Sequence, residues 1–418
     1  MKTVGIIAEY NPFHNGHAYQ IAEAKHITGA DYAVVVMSGN FVQRGTPAVW
    51  DKYTRTRAAL LGGADLVFEL PVVYATASAE YFAEGGVALL TALGVDTLCF
   101  GSECGDIDAL MEIAKILIDE SPEFKEALNI SLREGNSYPL AREDALKAHC
   151  AAHGLSIPED ILINPNNLLG IEYCKAILAH NSKLTPYTIQ RIGASYHEVS
   201  LSTGICSSAT ALRALLASIG SDSSERLSAL QSQVPAEVFP VYQECLSTLP
   251  LITADDFSTL LSYRLLYETS ESLCTYADWN RELANRVLSL QAPVASFEQT
   301  ATALKSKQIT LTRANRMLLH VLLQITSDRL PLAREHGSAF YARLLGLRES
   351  SSKALRHLTD TSSIPLINKL APAQRELLGI AAEFLQQDIR AAELYRMIQQ
   401  TKGADQSANE YTRGVIRI

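Results

Sequence analysis

The sequence predicts an α/β fold: a parallel sheet with helices on both faces, followed from about residue 235 by mostly helical chain. Three observations carry that prediction. Short apolar runs such as Thr3–Ala8 (TVGIIA) and Tyr32–Met37 (YAVVVM) alternate with helix-period segments through the first third, the pattern of strands joined by helical crossovers. Polar loops at Asn11–Gly16, Ser38–Gly45 and Gly101–Gly105 fall at the carboxyl ends of those strands, where such sheets bind ligands. Beyond residue 235 strand signals nearly vanish.

Taken in order, Thr3–Ala8 reads as the first strand and Ala18–His26 as a helix after a Gly-containing loop. Tyr32–Met37 is a second, buried strand, Lys52–Leu61 a helix, Asp65–Leu70 a strand, Ala79–Leu93 a helix and Thr97–Phe100 a fourth strand. Ile107–His153 is helical in pattern, Pro165–Asn167 leads into a helix near Leu168–His180, and Thr188–Ile192 offers one more strand. Ser207–Ser218 reads as a helix whose serine-rich start suits N-capping. Phe257–Glu268, Trp279–Ser289, Arg313–Leu323 and Pro372–Gln387 keep helical periodicity, and Thr401–Asn409 reads as a polar, frayed tail. The partition expected is residues 1–235 as one domain and 236–418 as a helical second.

Among 418 residues, 47% are hydrophobic and 19% charged, with a formal net charge of −9. That is globular composition, and it excludes a chain coated in basic residues but not a local basic face. Residues 301–360 carry 10 Lys or Arg against 4 Asp or Glu. The most apolar stretch, Ala58–Ala77, is interrupted by Asp65, Glu69 and Pro71, too early for a membrane span. Lys2 followed by a strand and a polar loop does not read as a secretory leader. Seven cysteines without a CxxC pair fit packed, reduced thiols better than a disulfide or zinc framework. A cytoplasmic protein is expected.

The chemistry concentrates in Glu9-Tyr10-Asn11-Pro12-Phe13-His14-Asn15-Gly16-His17. An H-x-G-H element directly after the first strand brings two imidazoles to the start of a helix. Unpaired amides and the dipole there attract phosphate, and imidazole donors can meet charge building on a leaving pyrophosphate. Gly16 permits close approach of a nucleotide. A second element, Ser207-Ser208-Ala209-Thr210-Ala211-Leu212-Arg213, offers hydroxyls (Ser208, Thr210) and a guanidinium (Arg213) to phosphate from another side. No GxxxxGK[ST] string occurs. Arg44 lies in a loop from which it could reach a carboxylate, a phosphate or RNA, and Glu69 and Glu103 lie at strand ends where a carboxylate could help hold magnesium. A carboxylate at a strand end is more often a capping or hydrogen-bonding group, so neither is assigned and no metal ligand is named. Lys305, Lys307, Arg313 and Arg316 form a basic cluster, the arginines being spaced to share a helix face.

The paired HxGH and S-S-x-T-x-x-R elements resemble those of the nucleotidylyltransferase superfamily. The longer strings GIIAEYNPFHNGH, MSGNFVQRGTPA, FELP, AEYFAEGGVALL, FGSE, NPNNLLGIEY and TIQRIGASYH resemble the bacterial tRNA(Met) cytidine acetate ligase family. So do FSTLLSYRLL, ANRV, KSKQITLTRANRMLLHVLL and YARLLG. The resemblance implies a Rossmann-like parallel sheet and an ATP-dependent ligase. Such an enzyme makes N4-acetylcytidine at wobble position 34 of elongator tRNA(Met) from acetate through acetyl-adenylate, with magnesium and without acetyl-CoA. It implies His14 and His17 as catalytic. It implies an ATP site from Ile7, Ala8, Glu9, Tyr10, Asn11, Pro12, Phe13, His14, Asn15, Gly16, His17, Ala18, Tyr19 and Gln20 with Gly101, Asn166 and Arg191. On it, Lys305, Lys307, Arg313 and Arg316 become tRNA-backbone contacts, although Gln308 and Ile309 stand where a basic and an aromatic residue are expected. The alternatives are transfer of AMP to a small phosphorylated cofactor precursor, or nucleotide or RNA binding without turnover.

Overall fold

The structure is a computed structural model that describes residues 1–136, 138–155, 161–191, 209–217, 223–290, 296–404 and 408–418. The chain opens with β1 (Thr3–Ala8), α1 (Asn15–Thr28) and β2 (Tyr32–Ser38), then a short antiparallel hairpin, β3 (Phe41–Val42) and β4 (Thr46–Pro47). There follow α2 (Lys52–Leu61), β5 (Leu66–Leu70), α3 (Val72–Ala75), α4 (Ala79–Leu93) and β6 (Thr97–Ser102). Three helices, α5 (Ile107–Ile118), α6 (Pro122–Arg133) and α7 (Tyr138–His153), precede α8 (Pro165–Ala179), β7 (Thr185–Gln190) and α9 (Ala209–Ala217). The remainder is mostly helical but contributes β8 (Ala342–Leu347), β9 (Leu366–Ile367) and β10 (Ile416–Arg417).

These strands form one sheet in the order β10-β8-β5-β2-β1-β6-β7, with β9 beside β8. Pairing is parallel except between β5 and β8. The expectation of almost no strand beyond residue 235 is therefore corrected: the chain after 235 returns three times to extend the sheet. The helical second part and the α/β first part share a single sheet across the expected boundary.

Buried on both faces, the central strands β1, β2 and β5 are near-continuous apolar runs. One core lies between the sheet and α1 and α2, with Ile21, Ala24, Ala59, Val35 and Val67 in it. The other lies under α4, α5 and α8, with Val36, Phe68, Leu90, Ile113 and Ile171. Asp51 starts α2 by accepting from the Thr54 amide at 2.8 Å, an N-cap in the sense that gives an orphan donor a partner. Gly45, at φ +74, packs its α-carbon against the backbone of Asn315 and Arg316, where any side chain would collide. That close approach seats the helix Leu311–Leu323 on the loop between β3 and β4. No helix among the described residues is long and apolar enough to cross a membrane. The six described cysteines are unpaired, four of them buried, and Cys206 lies outside the described residues.

Candidate active site

The turn from β1 into α1 is held from several sides. Tyr10 is left-handed, at φ +49, a conformation an aromatic residue rarely adopts. It is followed by a cis Asn11–Pro12 peptide. The guanidinium of Arg213 donates to the Asn11 carbonyl at 2.8 Å and to Thr210 Oγ1 at 3.1 Å. Tyr242 reaches across from Phe239–Thr248, its hydroxyl accepting from the Phe13 amide at 2.9 Å and donating to the Phe13 carbonyl at 3.1 Å. Arg55 donates to the carbonyls of Glu9 (2.7 Å), Trp50 (3.0 Å), Ser38 (3.0 Å) and Gly39.

Within this frame His14 is the N-cap of α1, and its Nδ1 accepts from the Gly16 amide at 3.1 Å. His17 Nδ1 accepts from the His14 amide at 3.3 Å, and the rings stack with centroids 3.8 Å apart. An Nδ1 that accepts an N–H cannot carry the proton, so each neutral ring holds its hydrogen on Nε2. Both rings are kept neutral. Burial, then the Arg191 and Arg213 charges, lowers the His14 pKa to about 3, and burial, then His14 and Arg191, holds His17 well below the usual range. The pair presents two fixed neutral donors beside two guanidinium groups, an arrangement suited to an anion that must be bound and then released.

The histidines open into a cleft of about 360 Å³ at the carboxyl ends of β1, β6 and β7. It gathers Ile7, Ala8, Glu9, Tyr10, Asn11, His14, His17, Gln20, Gly101, Asn166, Arg191, Thr210 and Arg213 of the expected set, and Arg44. Pro12, Phe13, Asn15, Gly16, Ala18 and Tyr19 do not line it, since they shape the turn or the helix behind it. Ser207 and Ser208 lie outside the described residues. The sequence reading missed the apolar wall of Phe82, Phe100, Leu168, Leu169 and Tyr173, and Gln43. Most of these sit inside the strings quoted above, where only their neighbours carried an evident chemical role.

The family described as HIGH Nucleotidyl Transferase matches residues 1–410. A tRNA(Met) cytidine acetate ligase of Acetivibrio thermocellus is 38% identical over 417 residues, covering 100% of both chains. One of Caldicellulosiruptor saccharolyticus is 41% identical over 372 residues, 88% of each chain. The chain belongs to the tRNA(Met) cytidine acetate ligase family. The crystal structure of Thermotoga maritima TmcAL, 29% identical, superposes with a TM-score of 0.91 over the whole of both chains. The structure of the same protein bound with alpha-thio ATP, 28% identical, gives 0.89 over the same span.

In this ligase-family chain several charged residues are engaged in holding the structure together. Glu69 is no magnesium ligand in waiting: it is buried, 2.7 Å from Lys52 and 3.0 Å from Arg343. Glu410 completes a quartet at 2.8 Å from Lys52 and 2.7 Å from Arg343. Burial works to raise the Glu410 carboxyl, but the Lys52 and Arg343 charges overcome it and hold the group at about 2. Glu103 caps α8, accepting from Asn166 Nδ2 at 2.6 Å and the Asn167 amide at 2.8 Å. It thereby fixes Asn166 at the cleft. Arg55 is fully buried and unavailable to RNA. The cluster itself divides: Lys305 and Lys307 are exposed, whereas Arg316 is largely buried and lies 3.5 Å from Asp278, with Arg313 at 3.7 Å from the same residue. Arg316 is thus a packing and pairing residue, not part of an open phosphate-binding face.

Proposed function

We propose that the chain is an ATP-dependent acetate ligase forming N4-acetylcytidine at wobble position 34 of elongator tRNA(Met), acting in the cytoplasm. Family membership supports the overall reaction, and the neutral imidazole pair at the start of α1 is the observation that carries the first step. An acetate oxygen attacks the α-phosphorus of ATP, the bond to pyrophosphate breaks, and acetyl-adenylate forms. The Nε2 hydrogens of His14 and His17, with Arg213, meet the charge that moves onto pyrophosphate. The cytidine N4 amine then attacks the acetyl carbonyl, AMP leaves with the bonding electrons, and the amine loses its proton.

The remaining site residues take supporting roles in this reading. Gly101 leaves room for the nucleoside, Asn166 is held ready by Glu103, and Arg191 adds a permanent cation. Lys305 and Lys307 remain candidate contacts to the tRNA backbone. The carboxylates at the cleft are engaged, Glu9 with the Gln43 amide at 2.9 Å and Glu103 with α8. Among the described residues no group of three metal-ligating side chains gathers. Magnesium, in this proposal, travels on the triphosphate, as it commonly does. Because ATP supplies the activation, acetyl-CoA has no part in the reaction.

Isotope exchange tests the first step. Labelled pyrophosphate should enter ATP only when acetate is present, with or without tRNA. Exchange that ignores acetate would favour AMP transfer to another acceptor and contradict the proposal.

A further inference from the structure

A second cleft, of about 480 Å³, runs along the β8–β10 edge of the sheet and is distinct from the nucleotide site. Arg343, Lys369, Arg413 and Arg417 line it against a single carboxylate, Glu410. Its floor is electrically closed, since Arg343 and Glu410 are compensated inside the buried quartet with Lys52 and Glu69. Its rim is not. Lys369 and Arg417 are exposed, and among the described residues neither side chain has an ion pair or a hydrogen bond. The Arg413 guanidinium lies over the Tyr53 ring, 4.6 Å from its centroid, and makes one long ion pair, 3.9 Å, with Asp51. The surplus charge on this rim is positive in a chain whose net charge is −9.

The sheet register relates this cleft to the first. Ala8, Met37, Glu69 and Arg343 are partners in one row across β1, β2, β5 and β8. Ala8 lines the nucleotide cleft and Arg343 the second. Three inter-strand steps separate them, or ~14 Å. The second cleft then follows β8 from Arg343 toward the level of Arg417, which pairs with Leu347; four residues of strand make this ~13 Å. It is a groove, not a round pocket. Exposed cations along a groove suit a run of phosphodiesters, which is positioned by Lys and Arg without being read in sequence.

We propose that the β8–β10 groove binds the ribose-phosphate backbone of the RNA substrate, using Lys369, Arg413 and Arg417, while the reacting base occupies the nucleotide cleft. This rests on the reading that the substrate is tRNA. A base read singly must be splayed from its neighbours to enter a cleft. The strand a few nucleotides away spans the distance between the two clefts. The groove also gives the C-terminal segment a role, since Glu410, Arg413 and Arg417 all come from it.

The test uses the full chain and an unmodified tRNA(Met) transcript. K369E/R417E alters two residues outside the adenylation cleft. Binding is read by fluorescence anisotropy over a range of salt, with acetate-dependent pyrophosphate exchange read in parallel. The variant should bind tRNA at least tenfold more weakly and lose about two from the slope of log affinity against log salt, one per phosphate contact. Exchange should be unchanged, and K369R/R417K should restore binding. Wild-type affinity and slope in K369E/R417E, with tRNA still acetylated by the unaltered protein, overturn the groove alone. Failure of the unaltered protein to bind or acetylate tRNA overturns the reading on which the groove rests.

Discussion

Replacing His14 or His17 with alanine is expected to slow acetate-dependent adenylation by about 10²–10³-fold, the usual cost of removing one preorganised donor to a developing anion. Folding should survive. His14 supplies an N-cap, whose loss costs about 1 kcal/mol, and His17 stacks on it without filling a large core position. The measurement is exchange of label between pyrophosphate and ATP, with circular dichroism to establish the fold. Full exchange in a folded variant would return that histidine to a purely structural role.

The same histidine makes a pH-dependent statement about stability. An unfolded His14 titrates near 6.5, whereas the folded one is held to about 3 by burial and then by Arg191 and Arg213. Below pH 6.5 the unfolded chain gains a proton that the folded chain refuses. The stability associated with neutral His14 is therefore full above pH 6.5 and erodes as pH falls toward 3. Between pH 7 and pH 5 the erosion amounts to about 2 kcal/mol at most. The stability gap between wild type and H14Q should narrow by up to that amount on acidification, read from urea unfolding at the two pH values. A gap independent of pH would contradict a neutral, buried His14.

The other large effect is expected at Glu69. Lys52, Glu69, Arg343 and Glu410 are all buried, and two acids balance two bases. E69A leaves two buried cations facing one carboxylate. Removing one partner of a buried pair costs about 3–5 kcal/mol, because the charge left behind is uncompensated. Urea unfolding should show that loss with an unchanged m-value. A change below about 1 kcal/mol would mean that water or a neighbouring group replaces Glu69. Since Lys52 opens α2 and its amide donates to Asn40 Oδ1 at 2.7 Å, the damage should also reach the loop that carries Gln43 and Arg44.

The legible parts of the sequence were those governed by local pattern. Thr3–Ala8, Lys52–Leu61 and Ala79–Leu93 have the observed bounds, because caps or glycines punctuate a clear apolar period. The helical stretch at Ile107–His153 divides into α5, α6 and α7 at Ser121-Pro122 and at Gly135-Asn136, breaks visible in residue type but set in position by packing. β8 was missed because ARLLGL is a short run whose main strand partner, β5, lies more than 270 residues earlier, too far for local pattern to reveal. Pro372–Gln387 read as one helix, whereas the chain forms Leu370–Glu376 and a long helix Gly379–Thr401.

At the site, the HNGH turn announces itself by its types and its place after a strand. Tyr242, Arg343 and Glu410 do not, since nothing near them in sequence says that they support β1, β5 and α2. The polar stretch Thr401–Asn409, expected to fray, leads directly into Glu410, an anchor of the buried quartet. Local polarity gave no sign of that destination.

The central claim is transfer of the acetyl group of acetate itself to one cytidine of one tRNA. Mass spectrometry of nucleosides from unmodified tRNA(Met), incubated with the protein, ATP, magnesium and isotopically labelled acetate, measures that transfer directly. The account predicts labelled N4-acetylcytidine at position 34, formed without acetyl-CoA and absent when ATP is omitted. Unlabelled product, product that requires acetyl-CoA, or no acetylated cytidine at that position would contradict it.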